Sequence, residues 1–207
     1  DESSADFYVY LYDVAAKSKK KLYAEKGSNA PADFNKDGSK LVVSKYHSAS
    51  YSQLFEVPVG GGEPREITPK GEQWSFDPVG YDATERYFFV NTNYKSDLKG
   101  LHAIDLQSGS ITPKLSELTG KEIDFAVMDD ERLTMAVGIN EDGYRTVQLR
   151  KTADFTPIAM PTMGKGIIGN IDFEAGKMLL ALDNANTPGI VYRWDMSKAA
   201  AVGEPVT

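Results

Sequence analysis

The chain has 207 residues, 41% hydrophobic and 26% charged, which is a globular composition with material for a core. A formal net charge of −7 and a pI near 4.9 exclude a nucleic-acid binder, because phosphate neutralisation needs clustered Lys and Arg. The absence of cysteine excludes a disulfide scaffold, a thiolate metal site and a cysteine nucleophile, and leaves the compartment open.

No apolar run approaches the ~20 residues of a transmembrane helix, so no membrane partner is expected. The opening "DESSAD" is acidic and polar, the opposite of a signal peptide. Next, "FYVYLYD" (7–13) alternates as a strand: Phe7, Val9 and Leu11 on one face, Tyr8, Tyr10 and Tyr12 on the other. Both faces are apolar enough for burial between neighbouring sheets. The basic run "KSKKK" (Lys17–Lys21) reads as a solvated turn before the following strand.

"ADFNKDGSKLVV" (32–43) places an aromatic, a polar turn on Asp37-Gly38, and a β-branched run: a hairpin. The pattern returns in "FDPVGYDATERYFFV" (76–90), "FAVMDDERLTMAV" (125–137) and "FEAGKMLLAL" (173–182). Phe34, Phe76, Phe125 and Phe173 are 42, 49 and 48 residues apart. A second landmark is an acid between apolar residues before a turn: Asp13, Glu56, Asp105 and Asp195, with Arg150 standing in once. These acids are expected to accept backbone N–H bonds from the turns that follow them. A period of ~40–50 residues built from four short strands is that of a β-propeller blade. Helix evidence is confined to "ITPKLSELTGKEI" and "DMSKAAAVG", both too short to stand alone.

The expected fold is therefore all-β, a β-propeller of about four and a half blades of four-stranded antiparallel sheets. A half blade at 7–24 supplies two outer strands. Blades follow at about 32–70, 74–118, 123–163 and 168–207, the last ending on "GEPVT" as an outer strand. Propellers close with ~4–8 blades, so this count suggests an arc of a larger ring, with a closed four-bladed ring the alternative.

"ADFNKDGSKLVVSKY" and "LFEVPVGGGEPREITP" resemble the propeller repeats of the TolB-like and prolyl oligopeptidase families, with their F-x-x-D-G hairpin and acid-ended outer strands. "NTNYKSDLKGLHAIDLQSGSITPKL" and "GINEDGYRTVQL" are similar to blades of bacterial prolyl oligopeptidase-type serine peptidases. The resemblance implies a propeller that caps an α/β-hydrolase domain carrying Ser, Asp and His, and that limits which peptides reach the nucleophile. It also implies that such a domain would follow Thr207. The implied partners are that hydrolase domain or further blades of the same parent chain, and a peptide substrate. The compartment stays open between periplasmic or secreted and cytoplasmic, with periplasmic slightly favoured.

The residues themselves offer no catalytic, cofactor-binding or metal site. No serine has the G-x-S-x-G context of a nucleophile elbow; Ser108 and Ser110 flank Gly109 in a hairpin turn. His47 is expected at a loop tip and His102 on a strand, as structural residues. "NKDGSK" and "NEDGYR" lack the alternating acids and distal Glu of a calcium loop and read as Asp-Gly hairpin turns, and the three acids of "MDDERL" read as a solvated turn. Gly164, Gly166 and Gly169 have G-x-G-x-x-G spacing without a βαβ context. Trp74 and Trp194 fit packing between blades. The functional expectation is a non-catalytic propeller gating a separate hydrolase domain; the alternative is a TolB-like module binding a protein or ligand through its rim or channel.

Overall fold

A computed structural model describes residues 5–198 and 204–205. Short alternating runs broken by Asn, Asp and Gly turns become strands, each running antiparallel to the last. β1 (Val9–Asp13) and β2 (Ser18–Tyr23) form a two-stranded sheet. β3 (Ser28–Phe34), β4 (Lys40–Ser48), β5 (Tyr51–Pro58) and β6 (Arg65–Glu66) form a four-stranded meander. β7 (Phe76–Tyr81), β8 (Tyr87–Thr92), β9 (Gly100–Asp105) and β10 (Ile111–Pro113) repeat it.

The third meander is β11 (Ile123–Met128), β12 (Thr134–Glu141), β13 (Tyr144–Lys151) and β14 (Pro157–Ile158). The fourth is β15 (Ile167–Glu174), β16 (Lys177–Asn184), β17 (Thr187–Asp195) and β18 (Glu204–Pro205). Among the described residues a single parallel bridge, Arg145 to Ile167, joins these last two. Of the "GEPVT" segment, Glu204 and Pro205 pair with β17; the rest lies outside the described residues, as does all of "AAAVG". The one helical element among the described residues is a 3-10 turn, Ser116–Leu118, within "ITPKLSELTGKEI".

The chain divides into two compact units. One ends at Asp97 and includes His102–Thr112; the other comprises Leu98–Leu101 and continues from Pro113. Within the first, Val9 and Tyr23 pack on Leu41, Val43 and Val57, and Val42, Leu54 and Ile67 pack on Phe76, Tyr81, Phe88 and Ile104. Within the second, Ala136, Val147 and Leu149 pack on Ile168, Phe173, Met178, Leu180 and Trp194. Each core is thus a layer between consecutive sheets, the arrangement by which blades bury both faces. The fold is that of β-propeller blades.

Register corrects three details of the repeat. Phe34, Tyr81 and Met128 close the first strand of their hairpins and Phe173 stands one residue before the end of β15; they pair with Leu41, Phe88, Met135 and Met178. They recur every 47, 47 and 45 residues, a steadier period than the phenylalanines give. Phe76 and Phe125 sit five and three residues earlier, at the start of β7 and midway along β11. Second, the hydrogen bonds Leu106 to Arg86 and Met196 to Gly176 match Val59 to Ser39 and Thr152 to Leu133. Asp105 and Asp195 are therefore equivalent to Pro58 and Lys151, and Glu56 and Arg150 fall two and one residues out of phase. Third, Ser18–Lys21 of the basic run is strand, and only Lys17 is in the turn. The ammonium groups of Lys19 and Lys21 lie 5.0 and 4.5 Å from the Tyr10 and Tyr8 ring centres, so the stems cover rings while the charges reach water.

Candidate functional site

Most polar groups singled out in the sequence are occupied by local structure. Asn35, Asp82 and Asp129 open the five-residue turns of the first three meanders. Each side-chain oxygen accepts the N–H of the residue that starts the next strand: Lys40 at 2.8 Å, Tyr87 at 2.7 Å and Thr134 at 3.1 Å. The "MDDERL" acid Asp129 is thus a turn clamp, a role shared at a spacing of 47 residues and hidden by the Asn/Asp alternation. Asp37 of "NKDGSK" accepts the Ser39 N–H and an Asn35 amide N–H, and its carboxyl is held below the usual range by the Ser39 hydroxyl first, then by these two bonds. Asp142-Gly143 of "NEDGYR" is a two-residue turn with both φ positive, 50° and 91°.

The landmark acids behave as expected where the side chain is short. Asp13 accepts from Ala16, Asp105 from Gln107 and Ser108, and Asp195 from Ser197. Bonds from Ser108, Arg86 and Gln107, in that order among the groups that lower it, bring Asp105 to about 2. Glu56, one methylene longer and out of phase, instead takes Arg65 at 2.8 Å and the Tyr81 hydroxyl at 3.2 Å. Burial, aided by Glu56, raises the Tyr81 phenol far above its ordinary value.

His47 lies near the end of β4 and not in a loop. Its ring stacks on Tyr51 at 4.4 Å, and Nε2 donates to Gln53 Oε1 at 2.8 Å. Gln53 in turn donates to Glu66, so His47 ends a structural chain. His102 is half-buried in β9. Trp74 meets Tyr94 edge-on at 6.0 Å and donates to Glu72; Trp194 is buried in the core of the second unit. Among the described residues no group of three His, Asp or Glu could hold a metal ion.

Gly164 and Gly166 lead into strand β15 and Gly169 lies within it, so no phosphate-cradling helix follows. Gly166 has a packing role: a Cβ there would meet Asp183 O at 2.5 Å. Around these glycines lie two cavities, both in the second unit. One, of about 460 Å³, is a groove between β11 (Phe125, Ala126, Val127) and β15 (Gly169, Asn170, Ile171). The other, of about 660 Å³, lies between the β12–β13 hairpin and Met160–Gly166.

Arg145 borders both cavities. Its Nε donates to Asp124 at 2.7 Å, and its guanidinium lies 5.3 Å from the Phe125 ring centre. A guanidinium stays protonated, so it can bind and orient but cannot abstract a proton. Sequence reasoning missed Arg145, because its carboxylate partner is 21 residues away on another strand. The local signal was an arginine directly after a hairpin turn, which alone reads as a solvated charge.

No protein-family model and no curated protein sequence matches the chain. Solved structures do. A prolyl endopeptidase, from work on the role of inter-domain dynamics in catalysis and specificity, superposes with a TM-score of 0.78 at 14% identity. That match covers 98% of this chain and 30% of the other. Prolyl oligopeptidase B from Galerina marginata, bound to a 35mer hydrolysis and macrocyclization substrate, gives 0.75 at 16% identity, covering 99% and 31%. TolB from Acinetobacter baumannii gives 0.64 at 13% identity, covering 91% and 46%. The chain spans about a third of the length of the peptidases it matches and under half of TolB. At these identities the likeness is one of fold: the chain is a β-propeller module resembling those of prolyl oligopeptidases and TolB.

Proposed function

We propose that the chain is the non-catalytic propeller portion of a prolyl oligopeptidase-like serine hydrolase, gating access of peptides to a separate α/β-hydrolase domain. The observation that carries this reading is the extent of the likeness. It runs through 98% of this chain at a TM-score of 0.78 while occupying 30% of the peptidase. The chemistry left to such a module is exclusion: rigid blades restrict entry by size and keep bulk water from the reacting centre. The polar groups described above suit that role, since they are spent on clamping turns and joining strands.

The test is the full-length gene product treated with a fluorophosphonate probe and assayed on peptides. The expected result is a labelled serine beyond residue 207, and cleavage of a short unstructured peptide at least about tenfold faster than of the same sequence within a folded domain. Labelling inside 1–207, or equal cleavage of both substrates, refutes it. The TolB likeness favours a second reading, a propeller that binds a protein partner without hydrolysis. A full-length product that no serine probe labels decides for that one.

A further inference from the structure

Comparing equivalent positions of the blades exposes a gap in the third. The shared hydrogen bonds donated by Val59, Leu106 and Thr152 make Leu54, Leu101 and Val147 equivalent, each five residues earlier. In the first blade the outer edge at Leu54 is closed: its C=O accepts the Ile67 N–H at 2.9 Å, and its N–H donates to Thr68 Oγ1 at 3.3 Å. In the second, the Leu101 C=O accepts the Lys114 N–H at 2.8 Å. In the third, β14 pairs only with Leu149 and Arg150. The register would next place Met160 opposite Val147, with Pro161 where Thr68 stands in the first blade. Proline offers no hydroxyl and no N–H. Among the described residues, no backbone bond closes this edge of Val147.

Val147 shares strand parity with Arg145 and Lys151, whose N–H groups point away from β12, to Gly166 and Thr156. Its N–H and C=O therefore face the 660 Å³ cavity that Val147 lines. A buried, unpaired backbone donor and acceptor is costly, and a strand edge in that state is a template for another strand. The cavity walls include Met160, Pro161, Met163 and Ile168. At its rim the Lys165 ammonium rests 5.5 Å from the Tyr144 ring centre, with no carboxylate in salt-bridge reach among the described residues. Of the acids on the lining, Glu141 is held by Lys121 at 2.6 Å, and Asp142 is on the exposed hairpin tip.

We propose that this cavity is a peptide-binding slot in which an extended segment adds to the outer edge of β13. One residue of the peptide exchanges both backbone hydrogen bonds with Val147, as in an antiparallel hydrogen-bonded pair. Its apolar side chain enters the Met160–Met163–Ile168 pocket, and a neighbouring acidic residue reaches Lys165. The site is apart from the β11–β15 groove, at the opposite side of β13 from β12, and the proposal does not rest on the gating function.

The test uses the full-length gene product, labelled for amide hydrogen exchange, with the probe acetyl-Thr-Leu-Asp-Thr-amide and the same peptide N-methylated at Leu. In the free protein the Val147 amide exchanges at least about tenfold faster than that of Leu54. The probe slows Val147 about tenfold without changing Leu54. N-methylation weakens binding by about tenfold or more, and Lys165→Ala weakens it several-fold at low salt. No binding at millimolar peptide, equal binding of the methylated probe, or a Val147 amide already as protected as Leu54 overturns the proposal. So does protection of Val147 in the full-length product without added peptide, because a segment of the parent chain would then fill the edge.

Discussion

The three glycines of "TMGKGIIGN" make a sharp test, because the structure gives them unequal roles within six residues. A methyl group built on Gly166 lies 2.5 Å from Asp183 O, 2.7 Å from Leu182 Cδ1 and 3.2 Å from Asn184 Cβ. Ordinary carbon contacts need ~3.5–4.0 Å, so the obstruction is about an ångström deep, and its nearest element is backbone. Asp183 is paired with Ile167, and the Gly166 C=O accepts the Arg145 N–H. Relief must therefore pull at both the β15–β16 pairing and the Arg145–Ile167 bridge between the third and fourth meanders. Overpacking of this kind costs about 1–3 kcal/mol. At about 2–4 °C per kcal/mol for a chain of this size, Gly166→Ala should lower the unfolding midpoint by about 2–12 °C.

Gly164→Ala meets no atom within 4 Å, and Gly169→Ala meets only Arg145 Nη1, at 3.5 Å, an ordinary contact. Both should stay within about 0.5 kcal/mol of wild type. The assay is thermal and urea unfolding followed by Trp194 fluorescence in a Trp74→Phe background, since Trp194 lies in the affected core. An unchanged midpoint for Gly166→Ala, or equal losses at all three glycines, would refute the packing argument.

Other outcomes follow from burial and turn geometry. Phe173 is 6% exposed and Phe34, its equivalent, 41%; truncation to Ala should cost about 3–5 kcal/mol at Phe173 and under about 1.5 at Phe34 in denaturant titrations. Asp129→Ala removes the acceptor for Leu133 and Thr134, and should cost about 1 kcal/mol and speed exchange of the Thr134 amide. Asp105 titrates near 2 when folded, below its unfolded value of ~3.9. Its contribution is present above pH ~4 and is lost as pH falls towards 2, so Asp105→Asn should flatten acid unfolding in that window. An unaltered acid limb in the variant would contradict that assignment.

The hairpins were legible because their causes are local. The Asp37-Gly38 and Asp142-Gly143 turns, and the alternating strands around them, are fixed by neighbours a few residues apart. The phase of the repeat was less legible. Phenylalanine fits several points of a half-buried strand, so Phe76 and Phe125 misled the count. The Asn35, Asp82 and Asp129 clamps keep strict time but change residue type. The short aspartates could be assigned from sequence since they reach only their own turns; Glu56 could not, because its length carries it to Arg65 and Tyr81.

By itself the amino-acid sequence determined that this is an all-β chain of repeated hairpins with its short landmark aspartates committed to turns, because those bonds close within a handful of residues. Only the tertiary structure decided which glycine is squeezed, that Arg145 is held by Asp124 between two cavities, and that Val147 faces an uncovered edge. Each of these depends on strands brought together from distant positions, and on one outer strand stopping short. That is a matter of sheet stacking and register, which no local pattern encodes.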